Sequence, residues 1–111
     1  MIKILFICHG NICRSPMAEF VMKDLVQKAN LQDNIYIESA ATSTEELGNG
    51  MHRGTVTKLR QENIPFTNHR ARQITAQDYN NFDYLIGMDQ EKLYYMEKRW
   101  PNDTEHKISL L

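Results

Sequence analysis

The sequence is poor in cysteine, in blocks of like charge and in long apolar runs, and each shortage closes a class of protein. Cys8 and Cys13 are the whole cysteine complement. With four residues between them and no secretory signal, they do not read as a disulfide scaffold and are expected to be reactive. No run of like charge exceeds two or three residues and the formal net charge is -1. Composition therefore offers no electrostatic footprint for nucleic acid or membrane, and neither is expected as a partner. The N-terminal apolar run Ile4–Cys8 is far too short for a signal segment or a membrane span, and no later stretch approaches that length. A soluble cytoplasmic protein is the expectation. Internal repeats, low-complexity tracts and domain linkers are missing too. At 111 residues, 41% of them apolar, the chain suits a single domain, residues 1–111, with one core.

Residues Ile2–Cys8 are almost continuously apolar, broken by Lys3, as in a strand buried on both faces of a parallel sheet. Pro16 suits the first turn of a helix, where its missing N–H is not needed. Met17, Phe20, Val21 and Leu25 then recur at spacings of three and four, predicting a helix to about Asn30. Ile35–Ser39 predicts a second strand, leading into the polar stretch Thr42–Gly54. A helix through Val56, Leu59 and Arg60 follows, and Pro65 ends that unit. Beyond the basic loop 67–73 come a short helix near 76–80, a third strand over Tyr84–Met88, a helix through Leu93, Tyr94, Met96 and Glu97, and a fourth strand over Lys107–Leu111. Strands separated by helical segments of this size imply βαβ crossovers, hence an α/β, three-layer domain with a mainly parallel four-stranded sheet. Ligands in such folds sit outside the strands' carboxyl ends, where Cys8 falls.

The loop Cys8-His9-Gly10-Asn11-Ile12-Cys13-Arg14-Ser15 joins the first strand to the first helix. Such a turn makes a ring of backbone N–H groups backed by the positive end of the helix dipole, which is an anion cradle. Gly10 accepts positive φ freely and Asn11 is among the few other residues that tolerate it. Arg14, six residues after Cys8, offers a planar fork to two oxygens of a phosphoryl group. His9 through Arg14 are thus expected to bind phosphate dianion. The amides, the helix end and Arg14 all favour the Cys8 thiolate, whose attack on phosphorus would give a phosphocysteine intermediate. Ser15 would donate to the sulfur as it leaves. Cys13 lies close enough to bond with Cys8 under oxidation, a reversible cap. His9 is expected to point outward, His52 and His106 to be solvated, and at most one of Tyr94 and Tyr95 to be buried. Cys8 and Cys13 alone stand at metal spacing, two ligands where three or four are needed, so neither a metal nor another cofactor is expected.

The string Cys8-x-Gly10-Asn11-x-Cys13-Arg14-Ser15-Pro16-Met17-Ala18-Glu19 resembles the low-molecular-weight protein tyrosine phosphatases, whose fold is called phosphatase I-like. Ser39-Ala40-Ala41-Thr42-Ser43, His69-x-Ala71-Arg72-Gln73-Ile74-Thr75, Phe82-Asp83-Tyr84 and Met88-Asp89 follow in the family's order. The resemblance implies Cys8 as nucleophile, Arg14 as phosphate clamp, and Asn11, Ser15, Ser39 and His69 as the polar network holding the loop. It implies phosphotyrosine-containing proteins or small phosphate esters as substrates, phosphate and other oxyanions as inhibitors, and no metal. Arg70 and Arg72, beside His69, read as solvated.

Three departures stand out. The family's general acid lies in an Asp-Pro-aromatic segment after the fourth strand, which has no counterpart up to Leu111; Asp83, Asp89 and Asp103 lack the following proline. General acid catalysis supplies about 10²–10⁴-fold, so hydrolysis is expected to suffer most for poor leaving groups. Glu45 stands where an aromatic pocket wall is common, and Lys92 where an asparagine is common. The family's last helix also falls beyond Leu111, which removes about 6–15 kcal/mol of apolar burial and predicts a chain that is marginal as a monomer and either self-associates through the uncovered sheet face or is a piece of a longer protein. Related alternatives are a protein arginine phosphatase, which commonly carries Thr where this chain has Ile12, and an arsenate reductase, which needs cysteines after Cys13. A cysteine-phosphorylated sugar-transport component lacks a clamp such as Arg14. A non-hydrolysing phosphate-binding module is the alternative from outside enzymology.

Overall fold

The computed structural model describes residues 1–111. Its strands are β1 (Ile2–Cys8), β2 (Ile35–Ala41), β3 (Tyr84–Gly87) and β4 (Ile108–Leu110). Between them lie α1 (Arg14–Lys28), α2 (Arg53–Gln61), α3 (Asp78–Asn81) and α4 (Gln90–Arg99). The strands form one sheet in the order β2-β1-β3-β4, parallel at every pairing. The expected α/β architecture and all four strands are present. β2 runs two residues beyond Ser39, because Ala40 and Ala41 pair with Ile7 and Cys8 and are buried there. Small side chains carry little periodicity signal, which hides that extension in the sequence. The short helix begins at Asp78 rather than near Ala76, since the Asp78 carboxylate accepts the Thr75 N–H at 2.7 Å and fixes the preceding turn.

Alternation within the strands divides the core in two. Leu5, Ile7, Ala40 and Leu85 face Ile74, Phe82 and α4's Met96 on one side. Ile4, Phe6 and Ile37 face α1's Val26 and Met22 on the other. α1 lies over β1 and β2. On that same face Ile2 and Tyr84 stand 46% and 49% exposed, a half-uncovered apolar stripe. α4 approaches β3 closely at Gly87, where a Cβ would lie 2.9 Å from Met96 Cε and 3.2 Å from Leu93 N. Central β1 ends in Cys8 between β2 and β3, and the segments that follow those two strands flank it, Thr42 N donating to Cys8 O and Met88 N to Ile7 O.

Candidate active site

The loop after Cys8 has no regular structure of its own, so the destination of its backbone groups decides its shape. Its carbonyls turn outward into the protein. Cys8 O accepts from Thr42 N at 2.9 Å, His9 O from Ser43 N at 3.1 Å and Ser43 Oγ at 3.0 Å, and Ile12 O from His52 N at 2.7 Å. Asn11 O faces His69 Nε2 at 2.8 Å, and Cys13 O accepts from Met17 N at 3.1 Å in the first turn of α1. A planar peptide points its N–H opposite to its carbonyl. The N–H groups of His9, Gly10, Ile12 and Cys13 accordingly find no acceptor within the protein and line the inside of the turn. The start of α1 adds its positive dipole end to the same region.

Asn11 adopts the expected left-handed conformation, φ 59°, with its side chain fully buried. Gly10 does not; Gly48 is the glycine with positive φ. Space explains Gly10 instead, since a Cβ there would come within 3.2 Å of Glu46 Cγ.

Hydrogen-bond polarity around Asn11 follows from one fixed donor. Arg72 N–H, which can only donate, meets Asn11 Oδ1 at 3.1 Å, so Nδ2 gives its two protons to Ser15 Oγ and Ser39 Oγ, each at 2.8 Å. Ser15, having accepted, directs its own proton to Cys8 Sγ at 2.9 Å. Ser39 directs its proton to Glu19 Oε1 at 2.5 Å, and Lys23 donates to Glu19 Oε2. Asn11 N–H also donates to Cys8 Sγ, at 3.2 Å. The sulfur, 3% exposed at the residue level, therefore accepts from two donors, the Ser15 hydroxyl and the Asn11 amide. The structure brings together Cys8, Asn11, Ser15, Ser39 and His69, all singled out in the sequence. Glu19 appears there only as part of the motif string, and its place in this chain was missed.

Arg14 is half-exposed and bound sideways: Nη1 donates to Asp89 Oδ2 at 2.7 Å. Asp89 caps α4 by accepting Lys92 N–H at 2.9 Å. That N–H foremost, and Arg14 after it, hold the Asp89 carboxyl below its ordinary range despite partial desolvation. A helix cap at Asp89 was readable from an aspartate ahead of an apolar-periodic segment. Its reach to Arg14 across 75 residues was not. His9 points outward as expected, its Nε2 3.0 Å from Glu45 Oε2. Cys13 is exposed and both cysteines are free.

One expectation needs correction. Arg72 is not solvated: its Nη1 and Nη2 reach the Asp78 carboxylate at 3.0 and 3.2 Å, with Glu38 at 3.4 Å. His52 is exposed yet caps α2, its Nδ1 accepting the Gly54 N–H at 3.0 Å. Tyr94 and Tyr95 are both exposed, in keeping with the expectation that at most one is buried. Asp83 and Asp103 serve the scaffold, Asp83 accepting Lys3 N–H and Asp103 accepting Tyr79 OH and the N–H groups of Lys107 and Ile108.

A family model described as low molecular weight phosphotyrosine protein phosphatase matches residues 3–111. The low molecular weight protein-tyrosine-phosphatase YfkJ of Bacillus subtilis is 47% identical over 93 residues, 84% of this chain and 60% of that protein. The human low molecular weight phosphotyrosine protein phosphatase is 42% identical over 96 residues, covering 86% of this chain and 60% of that one. Among solved structures, YfkJ superposes with a TM-score of 0.95 at 41% identity over 99% of this chain and 69% of that one. The Drosophila arginine phosphatase superposes at 0.89 with 39% identity, covering 99% and 70%. The chain thus spans about 60–70% of the length of these relatives. From its third residue to its last, this chain belongs to the low molecular weight phosphotyrosine protein phosphatase family.

Proposed function

We propose that this chain, acting as one domain, hydrolyses phosphate monoesters of protein tyrosine, and small aryl phosphates, through a phosphocysteine on Cys8. The observation that carries the reading is the sulfur beneath two donors at the mouth of a ring of inward amides. Those amides and the free edge of Arg14 bind the three non-bridging oxygens. The Cys8 thiolate attacks phosphorus, the P–O bond to the aryl group breaks, and the aryl oxide leaves to be protonated from solvent. Water then attacks the phosphocysteine, the P–S bond breaks, and Ser15 O–H stabilises the departing thiolate. Inorganic phosphate and similar oxyanions compete for the same cradle. Asp89 is an unsuitable proton donor because Arg14 and Lys92 hold it ionised, so rates rise steeply with leaving-group acidity.

Cys13, exposed where the loop meets α1, is the group that would cap Cys8 as a disulfide under oxidation. The half-uncovered face at Ile2 and Tyr84 supports self-association, and a cytoplasmic setting suits two free thiols. A phosphoarginine substrate is the second reading, favoured by the likeness to the Drosophila arginine phosphatase.

The test is turnover of p-nitrophenyl phosphate, phosphotyrosine and phosphoarginine by the reduced protein, with Cys8→Ser as control. Turnover of the aryl esters that the control abolishes supports the proposal. Preference for phosphoarginine selects the second reading, and phosphate or vanadate binding without turnover makes the chain a binding module.

A further inference from the structure

Lys92 is a lysine in an unusual place. Its side chain is 4% exposed, although lysines are almost never buried unless paired. α4 lies so close to β3 that the Lys92 Cβ would be 3.2 Å from a Cβ at Gly87, and Gly87 pairs in register with Ile7, the residue before Cys8. Packing at a glycine thus fixes a buried cation at the carboxyl edge of the sheet, beside the phosphate cradle. Its Nζ lies 3.6 Å from Asp89 Oδ1 and 3.1 Å from Glu91 Oε1. Glu91 is 82% exposed and its charge is screened by water. The other oxygen of Asp89 holds Arg14.

We propose that Lys92 is a positioning residue that acts through Asp89 on Arg14 and sets how firmly the loop holds an oxyanion. This deepens the phosphatase reading above and rests on it. Asp89 pins Nη1 and thereby leaves Nε and Nη2 of Arg14, one edge of the planar fork, turned to the ligand. Orientation bought with a carboxylate has a drawback: an Arg14–Asp89 pair alone is neutral, and Asp89 repels the incoming dianion. Lys92 draws on the Asp89 oxygen that Arg14 does not use and so offsets the repulsion that Asp89 would otherwise exert on the dianion. The clamp then stays both aimed and cationic.

The experiment compares Lys92→Met and Lys92→Arg in the reduced full chain, with inorganic phosphate as the probe. Phosphate affinity is read by calorimetry and by competitive inhibition of p-nitrophenyl phosphate turnover, alongside kcat, KM and thermal midpoint. Lys92→Met should weaken phosphate and raise KM about 3–10-fold with kcat within about twofold, as expected for one charge partly screened near a surface. Lys92→Arg should restore both, and in an Asp89→Asn background Lys92→Met should have little further effect on phosphate affinity. A fall in thermal midpoint with unchanged phosphate affinity would reduce Lys92 to packing and overturn the proposal. So would a loss that persists undiminished in the Asp89→Asn background, or one confined to kcat. Because calorimetry needs no turnover, a protein that binds phosphate but does not hydrolyse fails the phosphatase reading and still tests this one.

Discussion

Replacing Asn11 by Ala strikes the loop through two separate mechanisms, and the structure lets each be sized. The side chain is fully buried and makes three hydrogen bonds, to Ser15, to Ser39 and from Arg72 N–H. Both serine oxygens lose a donor but keep the partners to which they give their own protons, Cys8 Sγ and Glu19 Oε1, whereas the Arg72 N–H loses its acceptor, which costs about 1–3 kcal/mol when buried. The left-handed backbone at φ 59° adds about 1–2 kcal/mol once a Cβ without a local polar group must occupy it. Together these approach about 2–5 kcal/mol, against a typical total of 5–15 kcal/mol for a domain. At about 4 °C per kcal/mol for a chain of this size, Asn11→Ala should lower the thermal midpoint by roughly 8–20 °C. Asn11→Gly relieves the backbone part alone and should recover about 1–2 kcal/mol of the loss. The assay is thermal unfolding of reduced wild type and both variants at fixed phosphate, with p-nitrophenyl phosphate turnover in parallel. An Asn11→Ala protein melting within about 2 °C of wild type would refute the bond accounting. Equal melting of the Ala and Gly variants would refute the role assigned to φ.

Ser15→Ala removes one of two donors to the Cys8 sulfur; a hydrogen bond to a charged group of about 1.5–3 kcal/mol predicts a fall in kcat of about 10–150-fold, with phosphate inhibition changed less than about threefold. Asp89 has a folded-state pKa below its ordinary 3.8, so its contribution to stability is complete above that value and is lost as pH falls through the lowered one. Chemical denaturation of wild type against Asp89→Asn should therefore give a difference that is flat above about pH 5 and shrinks below 3.8. Tyr36 is pushed up to about 12, first by its hydrogen bond to Glu38 and then by desolvation; ultraviolet titration should show it ionising last, and Glu38→Gln should bring it down. Gly87→Ala places a Cβ against Met96 Cε and the Leu93 backbone and should destabilise by about 1–3 kcal/mol in denaturant titration.

Much of this molecule was legible because its signals are local. The apolar run Ile2–Cys8, the Pro16 helix start and the glycine and asparagine of the loop are each decided by neighbours in sequence, and each reappears in place, although Gly10 is there for room and not for φ. What stayed hidden is carried by contacts between distant residues. Nothing near Arg72 announces that Asp78 will take both its terminal nitrogens, and nothing near Arg14 announces Asp89. Such pairs depend on how α4 and the 67–73 loop dock on the sheet, and docking is set by details such as the clearance at Gly87. A charged residue in a loop reads as solvated by default, and here the default failed at Arg72.

The loop's function and its stability share the same bonds. An anion cradle needs amides without protein partners, and inward N–H groups are affordable only if the matching carbonyls are satisfied outside. Those carbonyls reach Thr42 and Ser43 after β2, His52 at the cap of α2, and His69 in the loop before α3. Segments spread from Thr42 to His69 therefore have to be folded before the ring around Cys8 exists. Ser39 and Ser15, polar residues buried where apolar ones would pack more cheaply, connect the underside of that ring to Glu19 in α1. A packed apolar substitute could hold the loop's volume but would leave Asn11 without acceptors and the sulfur without its hydroxyl donor. The chain accordingly spends burial on a polar network in its interior because the sulfur requires donors whose own acceptors are already committed.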